Sequence, residues 1–238
     1  MADNKQPITL DLPVRNQNIN VDVESIAPIL GFKPGEAYDV ANMTVTAELE
    51  VPQEQEYRLV LRGDVEAGTH AFARIVSADK NKFKEVTTFK KLSGSEIEEL
   101  APVLEKAGIP YEKSDLKSIA KGFKIADIKI PAGNHVLRIH SSQKLLPVND
   151  NPKAYQLVLY APLLSLKLTG GATKLSASVV FPAQFEEKAD IADPAVEPMP
   201  GQSMPQLDAD FNGKIACQRA MAWCWHNDPK ITISYTYK

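Results

Sequence analysis

Residues 43–51 read Met-Thr-Val-Thr-Ala-Glu-Leu-Glu-Val, and residues 57–62 read Tyr-Arg-Leu-Val-Leu-Arg. In the first run Met43, Val45, Ala47, Leu49 and Val51 alternate with Thr44, Thr46, Glu48 and Glu50. In the second, Tyr57, Leu59 and Leu61 alternate with Arg58 and Arg62. A period of two sends successive side chains to opposite faces, so each run predicts a half-buried strand. Folding the chain about residue 54 sets Val51 against Tyr57, Leu49 against Leu59 and Ala47 against Leu61. The other face then sets Glu50 against Arg58, with Glu48 diagonal to both arginines. Apolar and ionic patterns agree, which predicts a hairpin over 43–62 and gives the arginines a structural role.

Working outward, residues 123–141 repeat the motif. Phe123 and Ile125 lead into Ile128 and Ile130, with a parity slip near Ala126 that suggests a bulge. Pro131-Ala132-Gly133-Asn134 reads as a turn before a strand from His135 to Ser141. A second hairpin follows, with Ile130 opposite His135, Ile128 opposite Leu137 and Asp127 opposite Arg138. Gly170-Gly171 suggests a third hairpin between 163–168 and 175–181. Its symmetric register places Lys167 against Lys174. Further strands are expected at Gln6–Val14, His70–Ser77, Tyr155–Tyr160 and Lys230–Tyr237.

Residues 93–122 change period. Ser93 with Glu96 fits a capping box, and Ile97, Leu100, Ala101 and Leu104 follow at helical spacing. Pro102 should kink that helix. A second short helix is expected from Ser114 to Lys121, closed by Gly122. Residues 186–211 hold seven acidic residues and four prolines against the single Lys188, and read as an acidic arm. The run at 214–225 fits either a helix or a strand, with its alanines and Gln218 favouring a helix.

The fold class expected is therefore mainly β: an antiparallel β-sandwich of one or two units with a small α-helical insertion. The organisation expected is a β-rich region over 1–92, the helical insertion over 93–122 and a second β-rich region over 123–185. The acidic arm over 186–211 follows, and then a helix or strand plus a final strand over 212–238.

Composition narrows the function. The 238 residues are 44% hydrophobic, too apolar for disorder, and the net charge of -3 carries no basic stripe for nucleic acid. The amino terminus is polar, with no signal-like apolar core, so cytoplasmic synthesis is expected, with a virion or the extracellular space as the destination after assembly. No apolar run approaches the ~20 residues of a membrane span. Cys217 and Cys224 are seven residues apart. That is about 10.5 Å on a helix and roughly 23 Å on a strand, against the ~7 Å a disulfide tolerates between α-carbons. They read as small buried hydrophobes.

Two constellations stand out. Asp208, Asp210 and Asn212, followed by Gly213, match the first half of a calcium loop. Arg219 stands at its twelfth position, where a bidentate glutamate is needed. Trp223, Trp225, Tyr235 and Tyr237 gather near the carboxyl end and could form a sugar-stacking surface. His135 and His140 fall on opposite faces of one strand, and Cys224 with His226 lacks a second ligand pair for zinc. No nucleophile elbow or phosphate loop is present, so no catalytic residue and no cofactor are assigned. The expectation is a non-enzymatic structural or interaction protein, a homo-oligomer or a subunit of a larger assembly such as a virion or surface appendage. A carbohydrate-binding module is the alternative, and a hydrolase with a fold-assembled carboxylate pair is the third reading.

Overall fold

The computed structural model describes residues 12–62, 70–77, 82–106, 112–148, 150–159, 166–168, 174–198, 203, 207–225 and 229–238. Strand β1 (Leu12–Glu24) leads through the single turn α1 (Ala27–Leu30) to β2 (Asp39–Val51), β3 (Gln55–Arg62), β4 (His70–Ser77), β5 (Lys82–Thr88) and β6 (Lys90–Lys91). Helices α2 (Gly94–Lys106) and α3 (Leu116–Ile119) precede β7 (Phe123–Ile130), β8 (Gly133–Leu145), β9 (Ala154–Leu159), β10 (Leu166–Leu168) and β11 (Lys174–Ala183). The chain ends in α4 (Phe185–Lys188), β12 (Ala189–Ile191), β13 (Ala195–Pro198), β14 (Leu207–Ile215), β15 (Gln218–Trp225) and β16 (Pro229–Tyr237).

The protein is mainly β, with several antiparallel sheets and few short helices. A nine-stranded sheet runs β14-β15-β11-β1-β2-β8-β4-β5, with β10 also on β1. A four-stranded sheet joins β12, β16, β13 and β9, and a three-stranded sheet runs β3-β7-β6. Among the described residues the strand pairings are antiparallel except those of β1 with β10 and β11. The main core lies between the nine- and four-stranded sheets: Ile19, Val21, Val45 and Val179 meet Leu157, Ile231, Ile233 and Tyr235.

The strands of the opening motif form as expected, but their partners do not. β2 pairs with β8, from Asp39 opposite Leu145 to Val51 opposite Gly133. β3 pairs with β7, from Gln55 opposite Ile130 to Arg62 opposite Phe123. Thus neither 43–62 nor 123–141 is a hairpin. The two chains run as one ribbon and leave the nine-stranded sheet together at residues 52–54 and 131–132. The expected turns are these side-by-side bends, where Pro52 and Pro131 have no N–H to place in a ladder. Arg58 accordingly pairs with Asp127, not Glu50: its Nε and Nη2 donate to the two carboxylate oxygens at 2.7 and 2.9 Å. The guanidinium is nearly buried, which selects this bidentate partner over an exposed one.

The third expected hairpin is also replaced. β10 and β11 both lie parallel to β1 and do not pair with each other, so Lys167 never faces Lys174. The turn at 169–172 lies outside the described residues, as do most of Gln6–Val14 and His226. The run at 214–225 is not a helix. β14 and β15 form a hairpin around Ala216 and Cys217, and tryptophans at alternate positions of β15 enter the core. Cys217 is exposed on that turn, not buried, and Cys224 is half-buried.

Helix α2 forms with the expected cap, while the second helix is a single α turn, Leu116–Ile119, between 3-10 turns at Lys113–Asp115 and Ala120–Gly122. Glu96 accepts from the Ser93 backbone N–H at 2.7 Å and from Ser93 Oγ at 2.5 Å. Leu100 and Leu104 of α2 pack on Val60, Phe123 and Ile125 of the three-stranded sheet, making a second core. At α1, Gly31 adopts φ 77 and closes the turn by donating to Ala27 O and Pro28 O.

Candidate functional site

The aromatic residues at the carboxyl end come together, but inside. Trp223, Trp225, Tyr235 and Tyr237 are all at most 6% exposed. A sugar platform must offer a ring face to solvent. These rings instead stack within the core, Tyr235 lying 5.6 Å from Tyr155 and 5.3 Å from Phe185.

The two tyrosine hydroxyls converge on Asp39, which sequence reasoning missed. Asp39 opens β2 and is fully buried. Its Oδ2 accepts from Tyr235 and Tyr237 Oη, each at 2.7 Å. Its Oδ1 accepts from the backbone N–H groups of Ile26 and Ala27, each at 2.8 Å. Ser25 Oγ lies 2.6 Å from Tyr237 Oη. Every partner donates and the carboxylate only accepts, so a buried charge is satisfied on both oxygens. Burial, with the Asp39 charge added, drives the Tyr235 phenol far above its ordinary range. Burial likewise lifts Tyr237, against the Ser25 hydrogen bond and with Asp39, and Tyr155 is pushed up to about 12. The node ties the corner between β1 and β2 to the last strand. Its hydrogen bonds all run between groups of the chain itself, as a structural clamp requires.

The calcium-loop residues Asp208, Asp210 and Asn212 lie on β14, which is extended. Asp210 and Asn212 stand about 6.8 Å apart along one side of the strand, and Asp208 falls at the bulge between Leu207 and Ala209, its side chain outside the described residues. Arg219 reaches across: its Nη2 donates to Asn212 Oδ1, and its Nη1 donates to Glu186 Oε1 at 3.2 Å. Lys214 Nζ also pairs with Glu186. The hydrogen bond from Lys214, ahead of the pull of Arg219, holds the Glu186 carboxyl below its ordinary range. Among the described residues no group of three or more His, Cys, Asp or Glu forms a metal site.

The outward surface offers more. Across the solvent face of the nine-stranded sheet the register aligns Thr46, Asn18, Ser176 and Cys224 in one row. The next row holds His140, Thr44, Asn20, Ser178, Ala222 and Phe211. Asn18 donates to Ser176 Oγ at 2.8 Å, Ser178 donates to Asn20 Oδ1 at 2.7 Å, and Thr44 Oγ1 lies 3.0 Å from His140 Nδ1. This is a polar face whose side chains hold one another in place.

At its margin β14 is the last strand of the sheet, and among the described residues no strand pairs with its outer backbone edge. Phe211 is 42% exposed and Ile215 60% exposed. Both lie on the same side as Gly213, over which the Phe211 ring is laid: a Cβ at 213 would stand 3.0 Å from its Cζ. A separate open groove of about 450 Å³ is lined by Asp22, Glu24, Ser25, Phe181, Lys188 and Gln218 and takes in no residue of β14. The signal for this edge in the sequence is a Phe-x-Gly-x-Ile alternation without proline, hidden because the oxygen spacing of a calcium loop is also a period of two.

No protein-family model matches the chain, and no curated protein matches it. Among solved structures it is similar to one described as a putative nutrient binding protein from Legionella pneumophila, at 10% identity and a TM-score of 0.45. That alignment covers 95% of this chain and 68% of the other. It is similar also to one described as a putative protease from Parabacteroides distasonis, at 7% identity and a TM-score of 0.44, covering 96% of this chain and 41% of that one. The chain thus spans less than half the length of the Parabacteroides protein.

Proposed function

We propose that this chain is a non-enzymatic interaction protein, a subunit of a larger protein assembly of the virion or surface-appendage kind. One observation carries the reading: among the described residues Phe211 and Ile215 stand exposed on a strand at the edge of the nine-stranded sheet. An open ladder of backbone donors and acceptors beside exposed apolar side chains suits association with another chain. Among the described residues no helix is long and apolar enough to cross a membrane. Light scattering on the full chain tests the reading. A mass above that of the 26.2 kDa chain is expected. A strictly monomeric species up to about 100 µM, where even micromolar association would be populated, would overturn it.

A carbohydrate-binding role is the second reading, favoured by the Asn18–Ser176 and Asn20–Ser178 pairs in rows beside Phe211. Glycan-array binding lost on Asn20→Ala or Phe211→Ser would support it, and an array without binders would remove it.

A further inference from the structure

We infer that the open groove at the ends of β1 and β11 binds a small zwitterion, an amino acid or dipeptide, with its ammonium on Asp22 and Glu24 and its carboxylate on Lys188. The site goes beyond the assembly reading and stands apart from the β14 edge. β1 and β11 run parallel and pair from Asn16 opposite Lys174 to Asp22 opposite Val180. Both continue past that point, β1 to Glu24 and β11 to Ala183. There β1 keeps only β2 as its neighbour, and β11 only β15. From the Val180–Ala220 pair to the Ala183–Gln218 pair, β11 advances three residues and β15 two, so β11 carries the extra residue of a β-bulge. A bulge bends its strand, and β1 and β11 part around a groove of about 450 Å³. Small-ligand sites hold about 300–1,000 Å³.

The β1 wall is made of acceptors. Asp22 and Glu24 are exposed and alternate along the strand, so their α-carbons stand about 6.8 Å apart on one side. One ammonium bridges such a pair with two charge-assisted hydrogen bonds of about 2.8 Å each. Asn42 Nδ2 donates to Glu24 Oε1 at 2.6 Å, which holds that carboxyl and leaves its second oxygen for a ligand. Among the described residues Asp22 has no hydrogen bond or ion pair of its own side chain. Ser25 follows as a further acceptor. Tyr237 has one hydroxyl proton and gives it to Asp39. The 2.6 Å contact between Ser25 Oγ and Tyr237 Oη therefore uses the serine proton, and Ser25 has only lone pairs left for the groove.

The opposite wall carries the cation. Pro182 has no N–H, and Gln218 Nε2 donates to Phe181 O at 3.3 Å within the bulge. Gln184, at φ 58, turns the chain out of β11 and into α4, whose last residue is Lys188. The Lys188 backbone is pinned by a hydrogen bond from Lys238 N–H to its carbonyl at 3.0 Å. Its side chain is exposed on the groove and, among the described residues, its ammonium pairs with no carboxylate. Val180 and Pro182 add apolar surface to the lining. A simple anion meets two carboxylates in this groove, and a simple cation meets Lys188. A ligand carrying both charges satisfies both.

Titrating the full chain with the dipeptide alanyl-leucine, followed by heteronuclear NMR, tests the site. Amide shifts at Asp22, Glu24, Val180 and Lys188 are expected, and they should saturate by about 10 mM, where even millimolar affinity is populated. Acetylating the peptide's amine, or converting its carboxyl to an amide, should each weaken binding about tenfold or more, the equivalent of one charged hydrogen bond. Asp22→Asn and Lys188→Met should weaken the free dipeptide by a similar factor. Asp22→Asn should also bind the acetylated and free forms alike, which a loss of fold would not produce. Asp193→Asn, an exposed carboxylate outside the groove, should change nothing. No shift at the groove residues up to that concentration, equal binding of capped and free dipeptide by the wild type, or shifts that persist undiminished in both variants would each overturn the site. None of these outcomes depends on the oligomeric mass, so the assembly reading is tested separately.

Discussion

Asp39 and Phe211 each break the rule that charge stays outside and apolar surface inside, and they break it in opposite ways. Asp39 is a charge at zero exposure with all of its partners in place. Phe211 is an aromatic ring at 42% exposure with nothing over its outer face. The difference teaches which anomaly points to function. A misplaced group whose needs are met within the chain belongs to the fold. A misplaced group whose needs are unmet points outward, to something not in the chain. The same test separates Tyr235 and Tyr237, polar tips consumed by Asp39, from the open backbone of β14.

Breaking the satisfied side should have the largest consequence. Asp39→Ala strands two buried tyrosine hydroxyls and two backbone N–H groups. A buried unsatisfied group costs about 1–3 kcal/mol, so a loss of about 4 kcal/mol or more is expected in urea unfolding. Tyr237→Phe removes one donor and should cost about 1–2 kcal/mol. A loss below about 1 kcal/mol for Asp39→Ala would mean the corner at 25–38 relaxes around the missing carboxylate.

Glu96 sharpens the comparison with a charge that is satisfied but close to solvent. Hydrogen bonds from Ser93 Oγ, then Lys90 and then the Ser93 backbone, hold its carboxyl at about 2 against an ordinary 4.5. The folded state therefore prefers the anion more strongly than the unfolded chain does. This contribution is complete above the unfolded value of 4.5 and is lost as pH falls through about 2. Allowing for solvent screening, it is worth about 1–2 kcal/mol at neutral pH. Glu96→Gln should be less stable than the parent by that amount at pH 7, and the gap should close by pH 2. No gap at pH 7 would show that the amide replaces the carboxylate as a cap, and a gap unchanged down to pH 2 would show that the loss does not come from the charge.

What could be read from the sequence follows the range of each interaction. The period of two along 43–51 and 57–62 is local, and both strands form. The choice of partner is not local. Any two alternating runs across a short loop satisfy a hairpin pattern, and 43–62 paired with 123–145 satisfies it as well. The bidentate Arg58–Asp127 contact separates the two solutions, and it joins residues 69 apart in sequence. The Ser93–Glu96 cap, three residues long, was legible. Asp39 was not, because its tyrosine partners lie 196 and 198 residues away. The β14 edge was misread for a different reason: Asp-x-Asp-x-Asn fits a chelating loop and a strand equally. What decides is the hydrogen-bonded neighbour at 218–225.

The smallest expected effect is the most informative. Phe211→Ser deletes a large aromatic side chain, yet the ring covers little beyond Gly213 of its own strand. Thermal unfolding of the isolated subunit should move by no more than the equivalent of about 0.5 kcal/mol. A buried ring would cost about 3–5 kcal/mol on truncation. If Phe211 belonged to the fold, stability would fall toward that range and the oligomer would be lost only through unfolding. If it belongs to an interface, association falls while the subunit's melting point stays. Measuring both quantities on one variant therefore asks of Phe211 the question that Asp39 answers from its hydrogen bonds: whether its partner lies within the chain.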